Sequence, residues 1–397
     1  MAELAARLAG RLRLDDETPS AVVYDLGAVQ RRARELRDAL PAFHHCLALK
    51  AAPYAALLRR FAGWGYGFEA ASMPEGLVAH RACPGATILY DSPAKTRLEI
   101  ERAQALGWVL SANSLDELAR ISVPCSLRVN TLVGAGTIAA TSVADARSRF
   151  GEPHDALPAD LACAGWHAHV GSQGCSIDQL VLSARRLVDL ARSRPATRWI
   201  NLGGGLPAQA RYADYAAALA RAVPELFEGR WTVYTEMGRS LLADAARAYS
   251  RVEYARRGVA TIHLGADFLL RRVYRPQDWS YPLRALGPDY APRQGPALAQ
   301  TIAGPLCFAG DLLGSVDAPT LVEGDIVEIG GVGAYTMSMW SRHCSRAMPP
   351  VYGIDDAGEI LTLSEGETER DIARLWRAAA APAVFDASSP PTGALID

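Results

Sequence analysis

His44-His45-Cys46-Leu47-Ala48-Leu49-Lys50 is a short, mostly apolar stretch that ends in a lysine, and it begins a series of similar stretches. Between residues 44 and 235 there are eight such runs with strand character: His44–Lys50, Tyr66–Ala70, Thr87–Asp91, Trp108–Ala112, Cys125–Asn130, Gly165–Val170, Trp199–Leu202 and Trp231–Thr235. Segments of helical character separate most of them. Strands that alternate with helices predict a parallel sheet, and eight such units predict a closed (β/α)8 barrel of the TIM type.

Two helix starts in this region carry a capping pattern. Thr96 and Ser114 are each followed three residues later by a glutamate, Glu99 and Glu117, as in the capping box that opens a helix. Gly107 stands where the helix after Thr96 is expected to end, because glycine adopts the left-handed cap conformation without strain. The helices between the strands therefore have end signals of their own.

The sequence changes in character after about residue 245. Pro and Gly punctuate short apolar stretches such as Val259–Leu264, Leu321–Ile329 and Ile360–Leu363, a pattern typical of an all-β domain. We predict a barrel domain over residues 25–250, and a β-sandwich domain formed by residues 1–24 and 251–378. Residues 379–397 are predicted to be a mobile tail.

Composition excludes several classes of function. The chain of 397 residues has a formal net charge of −2, so nothing indicates a nucleic-acid or anionic-membrane partner. Glu3 and Arg7 interrupt any signal-peptide core, and no apolar run approaches the roughly 20 residues that span a bilayer. The seven cysteines are scattered without a C-x-x-C pair, so we predict neither a disulfide framework nor a metal site. The expected compartment is the cytoplasm.

Five motifs that carry chemistry follow one another along the chain. They are Lys50, His169-Val170-Gly171-Ser172, Gly203-Gly204-Gly205, Glu236-Met237-Gly238-Arg239 and Gly333-Ala334-Tyr335-Thr336. An amine at a strand end, a ring that can stack, phosphate cradles and a carboxylate are what pyridoxal 5'-phosphate (PLP) requires. Each motif alone has an ordinary structural explanation, and only the ordered set indicates this cofactor.

Lys50, Glu236 and His169 are the candidate residues around the cofactor ring. At the end of the first run, Lys50 is expected to point into the barrel mouth, where desolvation lowers its pKa and favours a Schiff base. A carboxylate at Glu236 that faces the pyridine nitrogen would keep this nitrogen protonated. The ring of His169 can stack on the cofactor, whereas His167 is expected on the opposite face of the strand.

The candidate phosphate-binding residues combine backbone and side-chain donors. Three successive glycines, Gly203–Gly205, leave backbone N–H groups that a phosphate can approach closely. Ser172 and Arg239 can add a hydroxyl and a guanidinium to the same group. In the second domain, Tyr335 can bond the phosphate and Cys307 can donate a proton, although simple packing also explains either residue alone.

The ordered motifs resemble those of the fold-type III PLP-dependent decarboxylases, the group of diaminopimelate, ornithine and arginine decarboxylases. The resemblance runs from about residue 20 to about residue 355 and rests on the strand-end lysine, H-V-G-S-Q, G-G-G-x-P, E-x-G-R-S, G-P-x-C and G-A-Y-T. It implies the cofactor PLP and an alanine racemase-like fold, a TIM-like barrel followed by a C-terminal β-sandwich or β-barrel domain. It also implies a head-to-tail homodimer whose active sites combine Lys50 of one chain with Cys307 of the other.

The resemblance further implies roles at matching positions. Lys50 would carry the cofactor, and Cys307 would protonate the substrate carbon after carbon dioxide leaves. Glu69 stands where the family commonly has an aspartate near the cofactor, and Arg128 matches an arginine that contacts it. The implied cofactor-binding set is Lys50, Glu69, Arg128, His169, Ser172, Gly203, Gly204, Gly205, Glu236, Gly238, Arg239 and Tyr335, of which Lys50, Glu236 and His169, with Cys307, would be catalytic.

Two departures from the family pattern concern the substrate. Family members that act on diamino acids usually place an acidic residue after the cysteine, but here Phe308 follows Cys307. Ornithine decarboxylases place an aspartate after the tyrosine that matches Tyr274, but here Arg275 follows. Either the alignment is shifted in a variable loop, or the far end of the substrate is anionic or acyl-linked. The predicted substrate-binding residues are Arg275, Phe308, Asp311 and Arg342. The cations expected around an anionic distal end are Arg271, Arg272, Arg275, Arg342 and Arg346.

Four functions are thus compared. The preferred one is α-decarboxylation of a small-molecule amino-acid substrate with an anionic or acyl-linked distal group, for example citryl-diaminopropionate in siderophore biosynthesis, or of a glutamyl group on a carrier protein. The alternative is diaminopimelate decarboxylase of lysine biosynthesis, although the acidic residue after Cys307 is missing. A racemase of this fold would have an arginine in place of Glu236. A non-catalytic binding module would not require Lys50, Glu236 and Cys307 together.

Overall fold

The structure is a computed structural model that describes residues 2–377. The strands are β1 (Ser20–Asp25), β2 (His44–Ala48), β3 (Gly67–Ala70), β4 (Ile88–Tyr90), β5 (Val109–Ala112), β6 (Ser126–Asn130), β7 (Glu152–Pro153), β8 (Gly165–His167), β9 (Trp199–Asn201), β10 (Thr232–Met237), β11 (Ala246–Arg256), β12 (Val259–Ile262), β13 (Leu283–Leu286), β14 (Leu298–Ala303), β15 (Leu312–Ala318), β16 (Ile326–Gly330), β17 (Val351–Ile354) and β18 (Ile360–Ser364). The helices are α1 (Ala2–Leu8), α2 (Leu26–Ala39), α3 (Ala55–Gly63), α4 (Met73–Ala82), α5 (Arg97–Ala105), α6 (Leu115–Leu118), α7 (Ile177–Arg192), α8 (Tyr212–Ala222), α9 (Arg239–Leu242), α10 (Leu270–Tyr274) and α11 (Glu369–Trp376). The tail predicted over residues 379–397 lies outside the described residues.

Eight strands close a parallel barrel. They pair in the order β5–β4–β3–β2–β10–β9–β8–β6, and β5 pairs with β6 to complete the ring. These strands coincide with the eight predicted runs, so the prediction of a (β/α)8 barrel is confirmed. Because the strands are parallel, their C-terminal ends meet at one mouth of the barrel.

Helices follow most barrel strands, and of the two predicted capping boxes the one at Thr96 is complete. The side chain of Thr96 accepts a hydrogen bond from the N–H of Glu99, whose carboxylate accepts one from the N–H of Thr96. At Ser114 the side chain accepts from the N–H of Glu117, but the Glu117 carboxylate accepts from Asn113 instead of Ser114. Helix α5 ends at Ala105, two residues before Gly107, which has a φ of 71°. No α-helix follows β6, and residues 131–164 contain only a 3-10 turn and the short strand β7. This long segment is free to reach the barrel mouth.

A second, mostly antiparallel sheet lies after the barrel in the chain. Its order is β15–β14–β12–β11–β1–β17–β18, and β16 pairs with both β11 and β13. The N-terminal strand β1 therefore lies between two strands from the C-terminal half. Since β11 begins at Ala246, before the predicted boundary at residue 251, we propose that the two domains divide near residue 245. None of the helices within residues 2–377 combines the length and apolar character needed to cross a bilayer.

A buried tyrosine of the second sheet holds the segment that leads from this sheet to the barrel mouth. Tyr24, at the end of β1, donates a hydrogen bond of 2.7 Å from its hydroxyl to the carbonyl oxygen of Gly333. The N–H of Gly333 donates to the carbonyl of Ala243 at 3.0 Å. Two residues further, the N–H of Tyr335 donates to the carbonyl of Ala51, next to Lys50. Tyr335, in the segment after β16, is thus fixed at the barrel mouth.

We predict that Tyr24→Phe destabilises the protein. The substitution removes the donor and leaves the buried carbonyl of Gly333 without it, which costs about 1–3 kcal/mol of the free energy of unfolding. Urea unfolding followed by tryptophan fluorescence measures the change. The matched control is Tyr254→Phe, because the side chain of Tyr254 is 66% exposed. Equal stability of the two variants would contradict the role of this hydrogen bond.

Candidate active site

A cavity of about 510 Å³ opens at the C-terminal ends of the barrel strands. The residues of the predicted set that line it are Lys50, Arg128, His169, Ser172, Gly205, Glu236, Gly238, Arg239 and Tyr335. Glu69 lies within the same group, because its carboxylate forms an ion pair with Lys50. The structure thus brings together motifs that are far apart in the sequence.

Lys50 is the only lysine at the cavity. The whole chain contains two lysines, and the second, Lys95, has a fully buried side chain. The ammonium of Lys95 pairs with Glu117 at 2.8 Å and donates to the carbonyls of Ser92 and Ser111 at 2.6 and 2.9 Å. A Schiff base requires an amine that the ligand can reach. Lys50, on the 3-10 turn after β2, meets this requirement.

The charge state of Lys50 differs from the expectation. Burial lowers the pKa of Lys50, but the neighbouring carboxyl groups of Glu69 and Asp91 outweigh burial and raise this pKa above its ordinary value. The expected lowering of the pKa by desolvation is therefore wrong for this chain, because the residues that bury the amine are themselves acidic.

Glu236 lies at the end of β10 with an incompletely satisfied carboxyl group. Asn201 Nδ2 donates to Glu236 Oε1 at 2.6 Å. Glu236 Oε2 is buried and has no hydrogen-bond partner among residues 2–377. Burial and the charge of Asp91 raise the pKa of Glu236 to about 7. An N–H donor that faces Oε2 would satisfy this oxygen.

Two histidines of the β8 segment face the barrel interior. His169 Nδ1 accepts a hydrogen bond of 3.1 Å from the N–H of Gly204, and burial together with Arg128 lowers the pKa of His169 to about 3, so its ring is neutral. His167 Nδ1 lies 2.9 Å from Ser111 Oγ, and His167 Nε2 lies 3.6 Å from Glu236 Oε1. The expectation that the two rings lie on opposite faces is wrong, since residues two apart along a strand share a face.

The opposite end of the cavity is suited to an anion. Arg239 Nε donates to Ser172 Oγ at 3.3 Å, and Arg239 Nη2 is buried without a partner in the described part of the chain. The guanidinium stands over the ring of Tyr335, 4.9 Å from its centroid. Tyr335 has a φ of 60°, a strained backbone conformation for a bulky residue that is often found at functional sites.

The glycines allow the backbone to pack closely beneath this end. A Cβ atom on Gly204 would lie 2.1 Å from the carbonyl oxygen of Glu236, and one on Gly238 would lie 2.7 Å from the hydroxyl of Tyr335. The N–H groups of Gly203 and Gly204 donate to Asn201 Oδ1 and His169 Nδ1, so these two glycines support the cavity wall. Gly205 faces the cavity directly.

Several cavity residues were missed by sequence reasoning. Asp91 ends the predicted run Thr87–Asp91, so the rule that barrel strands carry chemistry at their C-terminal ends would have identified it. Arg149 and Phe150 come from the long segment after β6, which has no periodic pattern, so nothing in the local sequence indicates that they reach the cavity. Arg271, on α10, belongs to the arginines expected around an anionic distal group, and it does line the cavity.

The predicted substrate residues of the second half do not line this chain's cavity. Both carboxylate oxygens of Asp311 accept backbone N–H bonds, from Ala266 at 2.6 Å and Leu306 at 2.8 Å, so Asp311 stabilises the loop between β14 and β15. Cys307 and Phe308 are exposed on this loop, and Phe308 stacks on Tyr274 with centroids 5.9 Å apart.

The two predicted arginines are held by carboxylates outside the cavity. Arg275 pairs with Asp278 at 2.7 Å, within the same turn of chain. Arg342 forms a two-pronged pair with Glu367, with distances of 2.5 and 2.6 Å. Their guanidinium groups already have strong partners, and within one chain they do not reach the cavity.

Residues 26–243 match the family model of the pyridoxal-dependent decarboxylases, pyridoxal binding domain. The chain belongs to this family. It is 30% identical over 388 residues to diaminopimelate decarboxylase of Pseudomonas aeruginosa, covering 89% of each chain. It is 28% identical over 404 residues to the L-glutamyl-[BtrI acyl-carrier protein] decarboxylase of Niallia circulans, covering 90% of this chain and 93% of that protein. The crystal structure of diaminopimelate decarboxylase from Helicobacter pylori complexed with L-lysine has the same fold, with a TM-score of 0.78, 23% identity, and coverage of 90% and 96%.

The protein is therefore a PLP-dependent amino-acid decarboxylase. The residues present fit the cofactor: among residues 2–377, Arg239 Nη2 and Glu236 Oε2 have no hydrogen-bond partner, while Lys50 offers the amine. Bound PLP supplies an electron sink for the charge that remains on the substrate when carbon dioxide leaves. We propose that Arg239, Ser172 and Tyr335 hold its phosphate, and that Glu236 holds its pyridine nitrogen.

We predict that Lys50→Ala abolishes the covalent link between protein and cofactor. No other lysine faces the cavity, so the variant should lose the visible absorbance of the PLP–lysine linkage. Borohydride reduction followed by peptide mass spectrometry should label Lys50 in the wild-type protein and no lysine in the variant. The peptide that contains Lys95 is the internal control, and a label on it would show that the assignment of Lys50 is wrong.

Proposed function

We propose that the enzyme decarboxylates an amino acid whose distal end is anionic or acyl-linked. Examples are citryl-diaminopropionate in siderophore biosynthesis and a glutamyl group on an acyl-carrier protein. One observation carries the proposal: two guanidinium groups that line the cavity, those of Arg149 and Arg271, lie against aromatic rings and form no ion pair with any residue in the range 2–377. An anionic substrate group would provide the missing counter-charge.

Aromatic rings hold both guanidinium groups in place. Arg149 lies over the ring of Phe150, 4.2 Å from its centroid. Arg271 lies 5.2 Å from the ring of Trp279 and 5.4 Å from that of Tyr335, and burial together with Arg239 lowers its pKa. A guanidinium stacked on a ring keeps its N–H edges available for a carboxylate, to which it can donate two hydrogen bonds.

A distal ammonium would find no comparable partner. The carboxylates that line the cavity are Glu75, Asp91 and Glu236. Glu75 accepts the N–H of Ala71 at 2.8 Å, and the other two belong to the charge network around Lys50. Burial of an unpaired ammonium beside arginines costs several kcal/mol. The described residues of one chain therefore favour an anionic distal group over a cationic one.

Diaminopimelate decarboxylation remains the alternative function. Its support is the 30% identity to the Pseudomonas aeruginosa enzyme over 89% of both chains. Arg271 could bind the distal carboxylate of either substrate, so it does not distinguish meso-diaminopimelate from the preferred substrate. The two functions differ in the distal ammonium, for which a second chain would have to supply a partner. The exposed loop after Cys307 begins with Phe308 and carries no such acid, since Asp311 is buried.

We propose that two copies of the chain share the active sites as a homodimer. Cys307 is exposed and does not line its own cavity. Its loop is nevertheless well anchored, because Asp311 bonds to the backbone of Ala266 and Leu306. Beside it, Tyr274 and Phe308 form an exposed aromatic stack, with 62% and 39% of their surfaces accessible. An ordered, exposed loop with an apolar surface supports insertion into the partner's cavity, where Cys307 would protonate the substrate carbon.

A substrate panel tests the proposed specificity. We expect release of carbon dioxide from citryl-diaminopropionate or a carrier-linked glutamyl group, and little or none from ornithine, lysine and meso-diaminopimelate. The physical reason is the unpaired ammonium that the last three would bury. Efficient release of carbon dioxide from meso-diaminopimelate would favour the alternative function.

Two arginine variants test how the anionic end is held. Arg271→Gln should raise KM for the preferred substrate by about tenfold or more, because a charged hydrogen bond contributes about 1.5–3 kcal/mol. Arg275→Gln is the matched control, since Arg275 pairs with Asp278 outside the cavity. An unchanged KM in Arg271→Gln would show that the anionic end binds elsewhere.

Complementation tests the shared active site. Lys50→Ala and Cys307→Ala chains, co-expressed with different tags, should each be nearly inactive as homodimers. A purified hybrid dimer has one site with both residues intact and one with neither. By the symmetry of such an interface it should show about half of the wild-type activity. A hybrid as inactive as its parents would contradict shared sites, and gel filtration would report the assembly independently.

A further inference from the structure

Two buried carboxyl groups approach Lys50 from adjacent barrel strands. Glu69 lies on β3 with no exposed surface, and Asp91 directly follows β4 with 6% exposed. Glu69 pairs with the amine of Lys50, and Asp91 contributes to the potential at the same amine. On its other side, Asp91 lies 3.7 Å from Arg128 Nη1 and 3.9 Å from His167 Nε2.

The two carboxyl groups differ in their hydrogen-bonding state. Glu69 Oε1 is buried and finds no donor among residues 2–377. A buried carboxylate oxygen without a donor is costly, but a protonated carboxyl is itself a donor and needs an acceptor instead. Asp91 is placed to be that acceptor, because it follows β4, which pairs with β3, and its N–H donates to the carbonyl of Ala70, the residue after Glu69, at 3.2 Å. A proton on Glu69 therefore removes the unsatisfied atom.

The surrounding charges also favour a proton on Glu69 and a negative charge on Asp91. Burial and the charge of Asp91 raise the pKa of Glu69 well above its ordinary value. Burial would also raise the pKa of Asp91, but Lys50, the hydrogen bond from Glu69, His167 and Arg128 outweigh it, and the pKa of Asp91 falls well below its usual range. Two adjacent buried carboxyl groups hold one proton between them for this reason.

We propose that Glu69 and Asp91 form a carboxyl pair that holds one proton and one negative charge beside Lys50 Nζ. Glu69 carries the proton and Asp91 the charge, so Asp91 is a positioning residue that acts through Glu69 and Lys50. The groups that face the pair are Arg128 on β6, His167 on β8, Glu236 on β10, Glu75 on α4 and Tyr335. The pair keeps the lysine nitrogen protonated and stores a proton within reach of Lys50.

The inference rests on the proposed role of Lys50 but not on the identity of the substrate. It is tested without substrate, by titrating the visible absorbance of the holoenzyme. Asp91→Asn and Glu69→Gln each leave one carboxyl group, and this group is expected to carry the negative charge beside the lysine nitrogen. The midpoint of the absorbance titration should therefore move by only a few tenths of a pH unit in either variant. The double variant removes the charge and should lower the midpoint by about 1–3 units.

The titration has two outcomes that would reject the pair. A full shift in Asp91→Asn alone would mean that Glu69 does not replace the lost charge. A double variant that titrates like the wild type would mean that neither group carries the charge. Asp116→Asn, at an exposed carboxylate in the first turn of α6, is the control and should not move the midpoint. Visible absorbance that survives Lys50→Ala would instead reject the role of Lys50.

Infrared spectroscopy gives a second measurement, which does not need the double variant. The difference between wild type and Glu69→Gln should contain the carbonyl stretch of a protonated carboxylic acid. The difference between Asp91→Asn and Glu69→Gln should lack it, because loss of Asp91 makes Glu69 give up its proton. An acid band that persists in Asp91→Asn, or is absent from the wild type, would overturn the proposal.

Discussion

The concentration of acidic groups around one amine is the constraint on which this site depends. Lys50 lies half-buried beside the carboxyl groups of Glu69 and Asp91, and Glu236 completes the acidic side of the cavity. Such a cluster is stable only if charges are matched and protons are shared. The barrel satisfies this condition by bringing side chains from several strand ends to one place, with Arg128 as the additional cation.

The second sheet contributes to the same site through a short structural path. β1 lies between β11 and β17, and its Tyr24 bonds to Gly333. The segment that follows Gly333 carries Tyr335 to the barrel mouth, where its ring lies beneath Arg239. Arg271, also from the second half of the chain, lies against the same ring. The anion-binding end of the cavity is therefore built by both halves of the chain.

The fold was predictable because barrel strands are short apolar runs, and each of the eight runs became a strand. Site residues that end such runs, including Lys50 and Glu236, were predictable for the same reason. Arg149 was not, since it comes from a segment without periodicity. Asp311 and Arg342 were assigned to the substrate because a sequence does not show which charges neutralise each other within the fold; backbone N–H groups bond Asp311, and Glu367 pairs with Arg342. The raised pKa of Lys50 was not predictable for the same reason, because the carboxyl groups that raise it, Glu69 and Asp91, come from other strand ends.

The near-absence of lysine has a chemical consequence. PLP is an aldehyde, and aldehydes condense with accessible amines wherever they meet them. Of the 41 basic residues in this chain, 39 are arginines, and one of the two lysines is sealed in an ion pair. Guanidinium groups do not form stable imines under physiological conditions. The chain can therefore carry many positive charges, while a single lysine side chain is accessible to the aldehyde of the cofactor.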